Sequence, residues 1–302
     1  MKCLHLPLNV PGSEQIGQRN GLKKVFDEVV ELDYLNIDDP NDKLVELAKE
    51  GFDIGFFQLQ ETGTITPETL EKIKPYFKLL VQWQGDIREV VPEYQQKIGK
   101  YFDITYLGFD HIRQYEPYCN EVKTMMIAID GKEVIPEEQE KKYDLVFAGN
   151  HYNQFPDTKF RTELINVLRQ KFNTKVYGFG WNFETETCPV KEQGKRYREG
   201  RVCLSINHFN DVKYYSERLL WCLASGTPTV VKRTPELEFE ENKHYLGFDD
   251  VNECVRQINL LLQYPEKGEQ IAKEARKEIL KNHTWTSRAK QLKGDYVESQ
   301  HR

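Results

Sequence analysis

Short apolar runs alternate with amphipathic segments along the first 130 residues of the chain. The apolar runs at residues 4–10, 52–59, 79–83 and 123–128 predict strands, because strands covered on both faces are nearly continuous in hydrophobicity. Thr66, Pro67 and Glu68 form a helix start signal, with a capping hydroxyl, a proline at the first helical position and an early carboxylate. Strands separated by helices predict a parallel sheet with crossover helices.

The same alternation begins again after residues 130–142, a charged segment with a proline that predicts a linker. Strands are expected near residues 143–148, 175–179 and 202–206, with helices between them and three helices after residue 250. The pattern therefore predicts an α/β protein with two Rossmann-like domains, residues 1–130 and 143–284, whose sheets face each other across a cleft. A last helix covers residues 285–302.

Composition narrows the class of protein. With 42 Lys and Arg against 48 Asp and Glu, the 302 residues carry a net charge of −6, which excludes a chain whose whole surface binds nucleic acid. The six cysteines form no CxxC pair and the seven histidines have no ligand spacing, so we expect no disulfide scaffold and no metal. No apolar run approaches the ~18 residues of a membrane span. A cytoplasmic protein is expected, or one of the host cytoplasm if it is viral.

Candidate binding residues cluster at strand ends of the second half, where ligands of open parallel sheets bind. Ser216 opens a predicted helix with Arg218 in its first turn, and a helix N-terminus suits a phosphate. Gly149 and Asn150 end a strand, and Arg161 follows in the next helix with a charge that would suit a diphosphate. The alternatives are a capped helix with a solvated arginine and an ordinary solvated helix start.

A second glycine segment, Gly178-Phe-Gly180-Trp181, follows the next strand. Its aromatic side chains could stack on a base or a sugar, and a tryptophan of the core is an equally good interpretation. The Gly-x-Gly pair lacks the dinucleotide spacing, so it is not evidence for NAD.

In the first half, carboxylates at strand ends are candidates for a general base or for contacts to sugar hydroxyls. Asp86 follows the strand at residues 79–83, and Glu14 follows the turn at residues 11–13. Glu61 and His111 occupy equivalent positions after two other strands. Each of them is also consistent with a plain surface or turn residue.

Several segments of residues 143–290 together resemble the nucleotide-sugar domain of group 1 glycosyltransferases, most closely the branch similar to the spore maturation protein CgeB. They are residues 144–149 (DLVFAG), 176–181 (VYGFGW), 203–207 (CLSIN), the pattern from Ser216 to Gly226, and His283-Thr-Trp-x-x-Arg288. The resemblance implies a GT-B architecture in which the second domain binds the donor, the first binds the acceptor and the C-terminal helices return to the first domain.

The resemblance also assigns roles to residues. The expected donor-binding residues are Gly149, Asn150, Arg161, Gly178, Gly180, Trp181, Asn207, Tyr215, Ser216, Arg218 and Trp221. The family usually has a glutamate that can bind the donor ribose five residues before the helix-ending glycine, and here that position is Trp221. A second glutamate of retaining relatives corresponds to Lys213, so the stereochemical class stays open.

The implied co-substrate is a nucleotide sugar, a UDP-sugar by preference, with no tightly bound cofactor. A helix dipole and cations can stabilise the departing nucleoside diphosphate without a metal. If the reaction inverts, Asp86 is the first candidate for the base and Glu14 the second; if it retains, Asp86 contacts the sugar or the acceptor.

Two acceptors are open, a surface glycan and a hydroxymethylated pyrimidine in phage-type DNA. Residues 191–201 carry five cations and two acids, so Arg196 and Arg198 are candidate contacts to a DNA backbone, although a solvated loop would have the same composition. The alternative function is a non-catalytic nucleotide or nucleotide-sugar binding protein with a degenerate site. The sequence does not fix the oligomeric state.

Overall fold

The structure, a computed structural model, describes residues 1–10, 15–130, 139–189 and 192–301. The chain divides into two compact units. The first comprises Met1–Asp130 together with Trp285–Arg302, and the second comprises Gly131–Thr284.

The first unit contains a six-stranded parallel sheet in the order β2-β1-β3-β4-β5-β6. Its strands are β1 (Lys2–Leu6), β2 (Glu28–Glu31), β3 (Phe52–Phe57), β4 (Phe77–Gln84), β5 (Ile104–Leu107) and β6 (Val122–Thr124). Its crossover helices are α1 (Ile16–Lys23), α2 (Pro40–Ala48), α3 (Pro67–Ile73), α4 (Glu93–Ile98) and α5 (Ile112–Tyr115). Apolar clusters cover both faces of the sheet, which explains the continuous hydrophobic runs of β3 and β4.

Two strands of this sheet end four residues before the predicted position. The first was expected to reach residue 10 but ends at Leu6, because Pro7 follows and cannot donate to the ladder. The last was expected to reach residue 128 but ends at Thr124. Beyond it, backbone carbonyls accept hydrogen bonds from side chains, since Trp83 Nε1 donates to Met125 O at 2.8 Å.

The second unit contains a five-stranded parallel sheet in the order β11-β10-β9-β7-β8. Its strands are β7 (Tyr143–Ala148), β8 (Thr174–Tyr177), β9 (Gly200–Ser205), β10 (Thr229–Lys232) and β11 (Leu246–Phe248). Its helices are α6 (Thr158–Lys171), α7 (Gln193–Arg198), α8 (Glu217–Ala224), α9 (Val251–Gln263) and α10 (Pro265–Asn282). β8 and β9 pair with opposite sides of β7, so the strand order reverses between β7 and β9, which is where such sheets bind ligands.

The last helix, α11 (Trp285–Ser299), lies in the first unit. It packs closely against α1, where a Cβ at Gly21 would overlap the backbone of Trp285. The Trp285 ring meets the edge of Trp83 with ring centroids 5.1 Å apart, and Trp285 N donates to Ile129 O at 3.0 Å. Within the described part of the chain, no helix is long and apolar enough to cross a membrane.

Candidate functional site

A cavity of about 260 Å³ lies at the carboxyl edge of the second sheet. Gly149 and Asn150 reach it from the end of β7 and Gly178 from the end of β8, while Ser216 and Arg218 reach it from the start of α8. The topology therefore brings together five of the residues that the sequence predicted to bind the donor. Ala148, Tyr177, Cys188, Gln193 and Glu217 also line it, and sequence reasoning missed them.

Arg218 joins the two strand ends at which the strand order reverses. Its Nε donates to Ala148 O, the last residue of β7, and its Nη1 donates to Ile206 O, directly after β9, at 2.8 Å. Its guanidinium carbon also lies 5.4 Å from the centre of the Phe147 ring. These contacts fix the guanidinium at the cavity without any ion pair among the described residues.

Arg161 lies behind Gly149 and is only 1% exposed. Its Nη1 donates to His208 Nδ1 at 2.8 Å, and its guanidinium carbon lies 5.0 Å from the centre of the Phe147 ring. In the described part of the chain its Nε and Nη2 have no hydrogen-bond partner and no carboxylate pairs with it. A buried cation without a counter-ion is costly for a folded protein, which makes this arginine a candidate for ligand binding.

The pKa values of Arg161 and His208 reflect the positive charge at this edge of the sheet. Burial, and then repulsion from Arg218, lowers the pKa of Arg161 to about 8. Burial, and then the charges of Arg161 and Arg218, lowers the pKa of His208 to about 3. His208 is therefore neutral at pH 7 and can accept the hydrogen bond from Arg161. The result is a concentration of positive charge beside Gly149.

The glycines at this edge allow close packing. A Cβ on Gly149 would overlap Arg161 Nη2 and lie 2.8 Å from Arg218 Nη2, so only glycine leaves room for both guanidiniums. Gly178 and Gly180 have φ of 126° and 84°, and a Cβ at either would overlap the backbone of residues 149–151. These two glycines hold the loops after β7 and β8 against each other.

The remaining predicted donor residues support the site or lie in the core. Trp181 is largely buried, and its Nε1 donates to Gly149 O at 2.9 Å; the exposed ring of this loop is Phe179, at 52%. Asn207 Oδ1 accepts a hydrogen bond from Ser216 Oγ at 3.1 Å and so positions the start of α8. Tyr215 and Trp221 are buried, and neither lines the cavity.

The first unit brings together three of the four predicted acid–base candidates. Asp86 follows β4, is 59% exposed and lies 3.5 Å from Arg88 Nη2. Arg88 also contacts Glu61, and its backbone oxygen lies 3.3 Å from His111 Nδ1. Asp86, Arg88, Glu61 and His111 all lie after strands of this sheet, at its carboxyl edge. Glu14 lies outside the described residues.

The two arginines that were predicted to contact DNA have partners within the second unit. Arg196 pairs with Glu192 at 3.1 Å and with Glu199 at 3.5 Å. Arg198 Nη1 donates to Ser225 O at 2.8 Å, directly after α8. Lys191, the first cation of that segment, lies outside the described residues. Across the described ranges, no group of three His, Cys, Asp or Glu side chains could hold a metal ion.

Comparisons with known proteins find one matching family model and several solved structures with a similar fold. Residues 161–294 match the family model described as glycosyl transferase-like. The fold is similar to that of a glycosyltransferase from Rickettsia africae ESF-5, with a TM-score of 0.64 and 10% identity over 99% of this chain and 98% of that one. Anabaena HepE in complex with UDP-glucose has a TM-score of 0.63 at 10% identity, over 99% and 100% of the two chains. No curated protein sequence matches the chain.

A third similar structure, sucrose-phosphate synthase from Thermosynechococcus elongatus, has a TM-score of 0.56 at 12% identity and covers 89% of this chain and 82% of its own. The predicted GT-B fold is confirmed. The family match covers a little under half of the chain, and it makes residues 161–294 glycosyl transferase-like. The family match begins at Arg161 and contains all of α8, so it covers most of the side chains around the cavity.

Proposed function

We propose that the chain is a glycosyltransferase that transfers a sugar from a UDP-sugar to a hydroxyl group of a glycan, and that its second unit binds the donor. The observation that supports this most strongly is the pair of guanidiniums, Arg161 and Arg218, around Gly149. Neither forms an ion pair among the described residues, and a diphosphate would supply the negative charge that both lack.

The start of α8 adds to this preference for an anion. Ser216 is the N-cap residue, but its hydroxyl bonds to Asn207 instead of capping the helix. The positive end of the helix dipole and Arg218 therefore act at the same edge of the cavity. Anabaena HepE, which shares the fold, has been solved with UDP-glucose, and this supports uridine as the nucleoside of the donor.

The proposed reaction forms a bond between the acceptor oxygen and the anomeric carbon and breaks the bond from that carbon to the β-phosphate oxygen. The departing UDP gains negative charge, which Arg161, Arg218 and the start of α8 stabilise. If the reaction inverts, Asp86, exposed at a strand end, takes the acceptor proton, with Glu14 as the second candidate. If it retains, Asp86 contacts the sugar or the acceptor.

The hydrogen-bond and ion-pair partners of Arg196 and Arg198 favour a glycan acceptor over DNA. Arg196 is paired with two glutamates, and Arg198 donates to a carbonyl at the end of α8. A DNA backbone would have to compete with these contacts. The closer kinship with the CgeB-like branch is also part of this proposal, and it rests on the segment from His283 to Arg288.

Nucleotide binding followed by sugar transfer tests the proposal. UDP and UDP-sugars should raise the melting temperature more than GDP or ADP do. Purified chain, UDP-sugar and a glycan array should then give labelled glycan, while DNA with hydroxymethylcytosine stays unlabelled. Labelled DNA would reverse the choice of acceptor. Stabilisation by UDP-sugar with no turnover on any acceptor, and no slow hydrolysis, would favour the non-catalytic binding protein.

A further inference from the structure

We propose that the ring of Phe179 stacks on a pyranose ring of the glycan acceptor, so that the second unit takes part in acceptor binding. This inference rests on the proposed function and concerns its second substrate. Phe179 stands between Gly178 and Gly180 in the turn that follows β8, and it is 52% exposed. An apolar ring with that exposure is unfavourable in water, so we looked for what holds it there and what would cover it.

The backbone of this turn is fixed on both sides of Phe179. Phe179 O accepts a hydrogen bond from His151 N at 2.8 Å, and Phe179 N donates to Asn150 Oδ1 at 3.1 Å. The two flanking glycines have φ of 126° and 84°, a conformation that other residues rarely adopt. Trp181, the other aromatic residue of the turn, packs into the core of the second unit. The turn therefore keeps the Phe179 ring outside the core at a defined position.

Phe179 continues a row of aromatic side chains from the loops after β7 and β9. Its ring centroid lies 5.5 Å from that of Tyr152, Tyr152 is equally far from Phe155, and Phe155 lies 5.1 Å from Phe209. Tyr152 and Phe155 also pack against His208, with centroids 5.5 and 4.7 Å apart, and so help to bury the hydrogen bond that His208 accepts. This structural role accounts for the half-buried rings but not for the exposed one.

Asn150 connects this row of rings to the candidate site. It lines the cavity, its Nδ2 donates to the Tyr152 hydroxyl at 3.3 Å, and its Oδ1 accepts from Phe179 N. Phe179 itself does not line the cavity, which the proposed function assigns to the donor. A ligand on the Phe179 ring is therefore next to the donor but separate from it, which is where the second substrate of a transfer reaction must be.

A sugar ring has the surface that an exposed phenyl ring needs. The face of an aromatic ring carries partial negative charge, and the C–H groups on one face of a pyranose carry partial positive charge, so the two faces attract each other. Stacking removes the apolar ring from water while the hydroxyl groups at the rim of the sugar stay hydrated. A glycan acceptor offers such a face, and this favours it as the ligand of Phe179.

The experiment compares Phe179→Leu and Phe179→Tyr with the wild-type chain on a glycan array, with and without UDP. Leucine keeps an apolar side chain but has no flat face, whereas tyrosine keeps the flat face. Phe179→Leu should bind the glycans that the wild type binds about three- to ten-fold more weakly, as the loss of one stacking contact implies. Phe179→Tyr should bind them as the wild type does. Calorimetric titration with UDP should give equal affinities for all three chains.

Tyr264→Leu is the matched control. Tyr264 is an aromatic residue of the same unit with a similar exposure, 45%, and it lies between α9 and α10 without lining the cavity. The control removes one exposed ring from the surface and should leave glycan and UDP binding unchanged. A loss specific to Phe179→Leu then reports on the position of the ring and not on the apolar surface as a whole.

The two measurements separate the possible results. Equal glycan binding by Phe179→Leu and the wild type would overturn the inference and leave the proposed function intact. A lower affinity for UDP in Phe179→Leu, with glycan binding unchanged, would place the uracil ring on Phe179 and would also overturn it. A wild-type chain that does not bind UDP would contradict the proposed function, and the array without UDP would still decide the inference. A wild-type chain that binds no glycan would contradict both.

Discussion

Arg161 shows how a single residue can be kept for ligand binding at the expense of stability. Its side chain is buried in an aromatic environment, and its Nε and Nη2 have no partner among the described residues. Replacing a buried cation by an apolar side chain of similar volume is often neutral or stabilising. Residues that break this rule are expected at functional sites.

Arg161→Met should therefore separate stability from binding. The free energy of unfolding without ligand should stay equal or rise by about 1 kcal/mol, because the desolvated charge is gone. The affinity for UDP should fall by about ten- to hundred-fold, because the positive charge behind Gly149 that attracts the diphosphate is lost. Urea unfolding and calorimetric titration measure the two effects. Arg169→Met, at an exposed position of the same helix, is the control. Lower stability with unchanged affinity would assign Arg161 a purely structural role.

His208 should add a pH dependence to the stability of the fold. Its folded pKa, about 3, is depressed below the usual value of about 6.5, so the unfolded chain binds more protons between these values. Its contribution is fully present above pH 6.5 and is lost progressively as the pH falls towards 3. In His208→Gln, the loss of unfolding free energy between pH 7 and pH 4.5 should be smaller than in the wild type. Equal losses in both chains would show that His208 is accessible to protons in the fold.

At the scale of elements, α8 has a functional end and a structural end. Its first turn lines the cavity. Its last carbonyls accept hydrogen bonds from two cations, Arg276 at Ala224 O and Arg198 at Ser225 O. Cations at a helix C-terminus satisfy its free carbonyls and interact favourably with the dipole. Arg198 therefore stabilises the helix that carries Ser216 and Arg218.

Arg198→Gln tests this structural role against the predicted contact to DNA. The variant should lose about 1 kcal/mol of unfolding free energy, because a charged hydrogen bond to the helix end is weakened. Lys195→Gln, an exposed cation on the same helix α7, should leave the stability unchanged. Urea unfolding at fixed salt gives both values. If Arg198→Gln is as stable as the wild type and instead reduces the salt dependence of DNA binding, the DNA interpretation is correct.

The periodic pattern of the sequence predicts the elements well, because it reports burial directly. The apolar runs of β3 and β4 are strands covered on both faces, and the pattern from Ser216 to Gly226 is indeed α8. The ends of β1 and β6 could not be predicted as well. They depend on a proline and on a carbonyl that accepts from Trp83, and neither changes the hydrophobic period.

Contacts between residues that are distant in the sequence could not be predicted. The hydrogen bond from Arg161 to His208 joins residues 47 positions apart, and nothing in the local pattern indicates it. Glu217 looks like an ordinary acid in a first turn until the cavity is seen. The glycine at 149 was a visible signal, but the reason for it, two guanidiniums beside one Cα, is a property of the fold.

For the whole molecule, the net charge of −6 does not describe the local charge at the candidate site. Acids outnumber bases over the chain, yet Arg161 and Arg218 make one edge of the second sheet locally positive. The first unit carries the acid–base candidates Asp86, Glu61 and His111 at the carboxyl edge of its own sheet. Donor binding is thus proposed for the second unit, and proton transfer for the first.

The release of UDP from UDP-glucose or UDP-N-acetylglucosamine tests the central claim most directly, with Gly149→Ala compared against Gly294→Ala. A methyl group at 149 would displace both guanidiniums, whereas Gly294 in α11 has open space around its Cβ position and should only gain helix stability, by up to about 1 kcal/mol. We predict that the wild type and Gly294→Ala release UDP at equal rates and that Gly149→Ala, while still folded, loses at least about 90% of the rate, as one lost charged contact implies. Equal rates in all three chains, or no release by the wild type in the presence of any acceptor, would contradict the account.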